Sequence, residues 1–510
     1  MTISSPLRKT VLSKAILAGL ISLSYSSYSA AVQLEFGDDS ELSGNINFNL
    51  GYATSFRTED ANRSDWSDVG YNILSDSRVP DKGDRISSVS KAAVEVGLDW
   101  KNYGLVTNVV YQYDSEIMNE DAIDFAGNPT SWTDAAKDYA GNSLDVLDAY
   151  VYGTFDINNQ PLEVRAGKQV INWGEGLYFI DGVATQVPLN INKLVTPGAE
   201  LKEAYIGVTS LYAQMGLGAD SSLEAYIQTG WNRTEFPPRG TFYGDDTLFR
   251  GGDQAVSGVP AFRGSDQEAS DSGQWGVAYR TTVGNSELGF YYSRYHETFP
   301  FLIFDGGGEY GFSQYWPEDL DMFGTSFAST LGDWSFNGEL AYRPDRPLYA
   351  NVTDSQGRNA EAHDTLTGSM HGILLGSAGP FGIDSQVYLL QLGVDYIDGN
   401  TDNLPANSSI TRAAVSPDNL AYGVAAEWIG TWQGAYPGVD VSLDLYLQKD
   451  IEGNSHFWGN FAEDRLLGSL SLSALIGNNW EASAGYSWSV QDNSIYETQD
   501  TFDLSVNYKF

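Results

Sequence analysis

The segment Thr501-Phe-Asp-Leu-Ser-Val-Asn-Tyr-Lys-Phe510 alternates without a break. Phe502, Leu504, Val506, Tyr508 and Phe510 are apolar, whereas Asp503, Ser505, Asn507 and Lys509 are polar. Successive strand residues point to opposite faces, so this is a strand with one apolar and one polar side. An aromatic residue at the end of such a strand predicts the closing strand of a bacterial outer-membrane barrel. Working outward from that strand, the same pattern recurs along nearly all of the chain. Ile46, Phe48, Leu50 and Tyr52 oppose Asn45, Asn47, Asn49 and Gly51; Val94, Val96, Leu98 and Trp100 oppose Glu95, Gly97 and Asp99. Val439, Val441, Leu443, Leu445 and Leu447 follow, then Trp480, Ala482, Ala484, Tyr486 and Trp488. The segments have the length of tilted membrane strands of about 9–11 residues, with Trp and Tyr near their ends, where aromatic girdles sit at the membrane interfaces.

At the other end, Arg8, Lys9 and Lys14 precede Ala15-Ile-Leu-Ala-Gly-Leu-Ile-Ser-Leu23 and small residues through Ala31. This predicts a secretory signal peptide over 1–31, cleaved after Ala30 or Ala31. The run is too short for a membrane-spanning helix, and no other segment approaches the roughly 20 apolar residues one requires. An exported chain without cysteine depends on burial and hydrogen bonding rather than disulfides. The formal charge is −39, and loss of the three signal-peptide cations makes it −42. Such a surface excludes nucleic acid as a partner, and no spacing in the acidic loops marks a divalent-cation site.

Connections alternate in length. Short turns fall at Lys101-Asn102, Asn158-Asn159-Gln160, Ala219-Asp220-Ser221, Gly284-Asn285, Gly332-Asp333 and Gly477-Asn478-Asn479, with long polar segments between them. Short periplasmic turns and long external loops give this rhythm. Seventeen strands are evident from 43–55 to 500–510. Both chain ends on one side demand an even number, and a strand is missing between 346 and 384. Thr367-Gly-Ser-Met-His-Gly-Ile-Leu-Leu-Gly-Ser377, followed by Gly379-Pro-Phe-Gly382, is the candidate. The expectation is a single transmembrane antiparallel β-barrel over 32–510 of about 18 strands, with 16 as the alternative.

The ordered motifs Leu147-Asp-Ala-Tyr-Val-Tyr-Gly153, Val164-Arg-Ala-Gly-Lys-Gln-Val-Ile-Asn-Trp-Gly-Glu175 and Lys193-Leu-Val-Thr-Pro-Gly-Ala-Glu-Leu-Lys-Glu-Ala204 lie in the middle of the chain. With Gly289-Phe-Tyr-Tyr-Ser-Arg-Tyr-His296 and Gly338-Glu-Leu-Ala-Tyr-Arg-Pro-Asp-Arg-Pro347, they resemble the proteobacterial outer-membrane family catalogued as domain of unknown function 1302. The resemblance covers essentially the whole mature chain. It implies a barrel working beside a periplasmic lipid carrier and an inner-membrane exporter, in the movement of hydrophobic molecules, without naming a substrate.

Alternation places Glu95, Asp99, Asp148, Glu163, Arg165, Glu224, Arg280, Glu339, Arg343, Glu427, Asp440, Asp444 and Glu481 toward the lumen. A charge facing lipid would cost about 2–4 kcal/mol near the midplane. Acids outnumber bases, so an open pore would prefer cations. The segment 174–198 departs from the other loops: it is nearly uncharged and rich in branched apolar residues, unlike a loop in free contact with water. It is expected to fold into the barrel mouth, where Trp173, Glu175, Asn192, Lys193 and Glu200 would shape a constriction, with Lys193 paired to Glu163 or Glu200. Phe299, Phe301, Leu302 and Phe304 precede a glycine run and suggest an external apolar patch, contacting lipopolysaccharide, a ligand or a partner. Of the four histidines, His296, His363, His371 and His456, none stands in a hydrolase or metal-ligand pattern, and no cofactor is implied. A folded plug before the first strand has no room. The leading function is passage of hydrophobic or amphipathic small molecules, with lipids among the candidates and direction open. The alternatives are a cation-preferring porin and a structural or adhesive barrel.

Overall fold

The computed structural model describes residues 32–35, 42–60, 80–123, 129–238, 241–244, 262–303, 311–350, 358, 360–404, 416–457, 459–490 and 500–510. The expected signal peptide lies outside these residues. Eighteen strands form one closed antiparallel barrel: β1 (Leu42–Arg57), β2 (Arg85–Trp100), β3 (Tyr103–Asp114), β4 (Asn142–Ile157), β5 (Gln160–Gln169), β6 (Val208–Gly216), β7 (Ser221–Gln228), β8 (Trp275–Val283), β9 (Ser286–Tyr295), β10 (Leu320–Leu331), β11 (Trp334–Tyr349), β12 (Ala360–Gly376), β13 (Ser385–Ile397), β14 (Leu420–Tyr436), β15 (Val439–Glu452), β16 (Leu466–Ile476), β17 (Trp480–Val490) and β18 (Thr501–Lys509). Each strand pairs with the next in sequence. β18 closes on β1 from Asn49↔Lys509 to Arg57↔Thr501, and the Phe510 N–H donates to the Phe48 carbonyl at 2.9 Å. A short strand, Val32–Glu35, extends this seam by pairing with Ser43–Ile46.

The count of 18 settles the parity argument, and the missing strand is β12, longer at its start than the sequence suggested. The outward faces carry Leu50, Val151, Leu223, Phe290, Leu392 and Leu472, all exposed, which makes a lipid-compatible belt. Aromatic residues cluster at the turn end, where Trp480 meets Tyr508 (4.7 Å) and Tyr508 meets Phe510 (4.5 Å). Others cluster toward the loop end, where Trp275, Tyr292 and Phe323 lie within 5.2 Å of one another in sequence order.

Two strands are shorter than their periodicity predicts. β5 stops at Gln169 rather than 173, and β6 begins at Val208 rather than 200. The chain between them, residues 170–207 (here L3), leaves the wall and enters the lumen. Three further loops take part in the mouth: L4 (229–274), L5 (296–319) and L8 (453–465).

Candidate functional site: a loop docked across the lumen

L3 holds residues that a water-filled pore would leave wet, and buries them. Trp173, Tyr178, Phe179, Ile180, Val183, Ile191 and Leu194 are all buried. They form two apolar clusters inside the barrel. Leu177–Ile180 pack with Phe236 of L4, Phe457 and Phe461 of L8, and Tyr446 of β15. Trp173 and Val183 pack with Tyr226, Tyr291 and Met322 from β7, β9 and β10. The wall accommodates them by omitting side chains: a Cβ on Gly393 would strike the Phe179 ring, and one on Gly324 would meet Val183.

Polar groups fix the tip to the far wall. The Glu175 N–H donates to Glu339 of β11 (2.5 Å) and the Tyr178 N–H to Gln391 of β13 (2.7 Å). The Tyr178 hydroxyl donates to Glu427 of β14. The amide of Asn460 in L8 bonds both backbone groups of Ile180, donating to its carbonyl (2.9 Å) and accepting from its N–H (3.1 Å). Irregular backbone buried in a barrel needs such partners, because water no longer supplies them.

Asp181 is held by several cationic neighbours. Arg346 donates to its carboxylate at 2.5 Å and to Glu297 of L5 at 3.0 Å. Arg343 lies 3.4 Å from that carboxylate and donates to the Asp181 and Gly182 carbonyls at 2.7 Å each. Strict alternation would send two residues three apart to opposite faces. A bulge at Pro344-Asp345 shifts the register between Arg343↔Thr365 and Arg346↔His363, so both guanidiniums face inward. His456 of L8 sits 3.8 Å from Asp181, its side chain 2% exposed. Burial and the neighbouring Arg346 push its imidazole down to about 3. Burial alone would raise Asp181, yet Arg343 and Arg346 together hold its carboxyl below the ordinary value.

The other half of L3 lies on the near wall. Lys193, 2% exposed, bonds Gln112 (2.6 Å) and Ser143 (3.2 Å) and pairs with Asp145 of β4 at 2.9 Å. That corrects the expected pairing with Glu163 or Glu200: Lys193 projects toward β3 and β4. Glu200 caps a short 3-10 turn together with Glu203, accepts from Asn49 (2.9 Å) and pairs with Lys202 (3.2 Å). Burial opposes its ionisation, but Lys202, Lys91 and Lys509 hold it at about 2. Lys91 of β2 donates to the Gly198 carbonyl and to Glu203, both at 2.6 Å.

The five expected gate residues therefore belong to one loop but not to one constriction. Trp173, whose indole donates to Glu224 (2.8 Å), and Glu175 face β7–β11. Asn192, Lys193 and Glu200 face β1–β4. Of the expected lumen charges, Glu339, Arg343 and Glu427 are buried beneath L3 rather than lining open water. Glu163 and Arg165 pair with each other and stay about one-third exposed; Arg280 forms an ion pair with Glu224 at 3.1 Å. Asp148 is half-buried on β4.

The expected external patch is also corrected. Phe299 turns inward onto Phe236 (5.8 Å) and Phe457 (4.7 Å), and Phe301 is buried against Tyr315. L4 and L8 cover Phe299, whereas Phe301 packs within the small sheet that Phe301–Ile303 forms with Gly311–Tyr315, against Ile303 and Tyr349. The Leu302 side chain and Phe304 lie outside the described residues. Sequence reasoning missed the contributions of L4 and L8. Phe242 of L4 crosses the mouth to lie under Arg57 of β1 (5.6 Å). A usable signal was present in L8, where His456, Phe457 and Phe461 interrupt an otherwise polar loop.

These features define the class: an 18-stranded transmembrane barrel whose third long loop is docked across its own lumen. The chain belongs to the family described as "Protein of unknown function (DUF1302)", whose model matches residues 12–510. No curated protein matches it in sequence. Among solved outer-membrane barrels, it is similar to Acinetobacter baumannii OccAB1 (10% identity, 96% of this chain and 99% of that one, TM-score 0.45). It is also similar to Pseudomonas aeruginosa OccD3 (12%, 97% and 97%, 0.44) and to Salmonella typhi OmpF in complex with daunomycin (8%, 94% and 100%, 0.40).

Proposed function

We propose that this protein is a gated outer-membrane channel for amphipathic or hydrophobic small molecules, lipids among them, and not an enzyme. The observation that supports this most directly is the apolar, buried L3. Its two ends engage opposite walls, and its aromatic side chains fill the barrel where a general porin keeps a hydrated bore. A polar solute gains little from such a surface, whereas an apolar one is sheltered from water along it. In this reading the long loops face outward among lipopolysaccharide and the short turns face the periplasm, the barrel having been inserted by the assembly machinery. A periplasmic lipid carrier and an inner-membrane exporter would supply or receive the cargo.

Planar-bilayer conductance combined with flux of a neutral hydrophobic probe into proteoliposomes tests this proposal. The expected result is low steady conductance with saturable probe flux. A large, steady, cation-selective current in the unmodified protein would favour the open-porin alternative, which the acidic lumen also accommodates.

A further inference from the structure

L3 leaves the wall after Gln169 and rejoins it at Val208, and these two residues are register partners at the neck of the loop. Just below the neck, a row runs across the outer side of the barrel: Ala149 pairs with Lys168, and Lys168 with Thr209. Thr229 continues the row, its N–H donating to the Thr209 carbonyl at 2.8 Å. Ala149, Thr209 and Thr229 are exposed, so Lys168 stands on the lipid side. A lysine there is costly unless its head reaches the membrane interface. The Lys168 stem leans that way: its Cγ lies 3.2 Å from where a Cβ on Gly207 would stand, at the loop end of β6.

Lys168 also lacks what comparable outward cations have. Arg294 pairs with Asp319 and Asp321 at 3.3 Å each, and Lys449 with Asp464 at 3.3 Å. Lys168 has no ion pair or hydrogen bond among the described residues. The lumen-facing Asp148 feels its charge through the wall but is turned to the Val170 N–H. Beneath Lys168 the outer face is apolar, with Val151, Leu211 and Ile227 exposed. Ala166, the register neighbour of Val151 and Leu211, leaves a shallow trough between them. A bare ammonium beside a hydroxyl, set above an apolar trough that continues the lipid belt, fits a phosphorylated lipid of the outer leaflet. We infer that Lys168 and Thr209 seat the phosphate of such a lipid, of the lipid A kind, with an acyl chain along Ala166. Both groups donate to phosphate oxygens, and the ammonium does so with charge assistance. The occupant bridges β5 and β6 at the two roots of L3 and braces the docked loop. This seat goes beyond the channel proposed above and does not depend on its cargo.

The test uses the full barrel in detergent micelles with EDTA, which removes divalent bridges between acidic loops and phosphate. Bisphosphorylated lipid A, its dephosphorylated form and dodecanoate are added in turn, and retained lipid is counted by native mass spectrometry. A single retained lipid A is expected, with the dephosphorylated form bound about tenfold more weakly. Lys168→Gln should weaken lipid A about as much, Lys168→Arg should keep it, and Arg294→Gln, at a cation with its own acids, should leave it unchanged. In planar bilayers, lipid A should lower the open probability of the unmodified channel and of Lys168→Arg, but not of Lys168→Gln. Equal retention of the two lipid forms, or undiminished retention by a heat-modifiable Lys168→Gln barrel, overturns the seat. Dodecanoate bound through Lys168 in preference to lipid A overturns the lipid as its occupant, and an open probability indifferent to lipid A overturns the brace. Flux of the neutral probe is read separately: its loss with lipid A retention intact would count against the channel, not against the seat.

Discussion

Asp181 shows how much one side chain decides. It joins L3 to β11 through Arg343 and Arg346 and lies beside His456 of L8. Removing its charge takes the carboxylate from the buried Arg343 and leaves Arg346 with Glu297, and breaking such a buried pair costs about 3–5 kcal/mol. Asp181→Asn is therefore expected to undock the tip and raise single-channel conductance without changing the heat-modifiable migration of the barrel; unchanged conductance would remove Asp181 from the gate. Acid should act in the same direction. The groups facing this cluster are Arg343, Arg346, Glu297, His363, Asp395, Tyr295 and His456. His456 has a value of about 3 when docked and one near 6.5 when solvated. The undocked state thus binds the extra proton, and docking weakens as pH falls from about 6.5 toward 3. Asp181, held low, contributes stability that is present above its ordinary value near 3.8 and is lost as pH falls through its lower docked value. Open probability should rise across the upper window, and His456→Asn should flatten that rise while leaving the more acidic step. A flat profile in the unmodified protein would show that L8 stays docked.

At the scale of elements, L3 is a packed unit and responds as one. Deleting 180–192 removes the Asp181 anchor together with the buried Ile180, Val183, Val187 and Ile191, so conductance should increase and probe flux should change; no effect on either would reduce L3 to packing. Lys193→Glu places an anion against Asp145, and should cost about 3 kcal/mol, the lower end for a broken buried pair because Asp145 keeps some contact with water. Leakier channels with an intact barrel are the expected readout. The strands were legible because period-two alternation is imposed by lipid on one side and water on the other, and even β12 could be inferred from parity. L3 was legible because an uncharged, branched apolar run has no place in an exposed loop. The partner of Lys193 was not, since which wall residue faces a loop depends on barrel curvature and strand stagger. Nor was the inward turn of Phe299, whose cover comes from Phe236 and Phe457, distant in sequence. Arg343 and Arg346 sharing a face depends on a bulge that alternation cannot reveal.

For the whole molecule, the barrel has a turn end and a loop end, and the proposed orientation puts the latter outside the cell. A tag after the exposed Asn119 should be reached on intact cells, and one within Asn158–Gln160 should be hidden; reversed labelling would invert the orientation. The aromatic seam is equally open to test. Phe510 contacts Phe48 (5.3 Å) and Tyr508 (4.5 Å) where β18 meets β1. Phe510→Ser should lower the yield of heat-modifiable barrel in the outer membrane, and a normal yield would show that closure does not depend on this contact.

The attachments of L3 also dictate an order of events during biogenesis. Its tip is held by Glu339, Gln391, Glu427 and Asn460, which lie 164, 213, 249 and 280 residues from their partners along the chain. None of these contacts can form until the second half of the polypeptide has been laid into the wall, and closing so long a loop is repaid only afterwards. The near-wall contact of Lys193 with Asp145 joins residues made much earlier, so the loop can be tethered at one end first and fastened at its tip last.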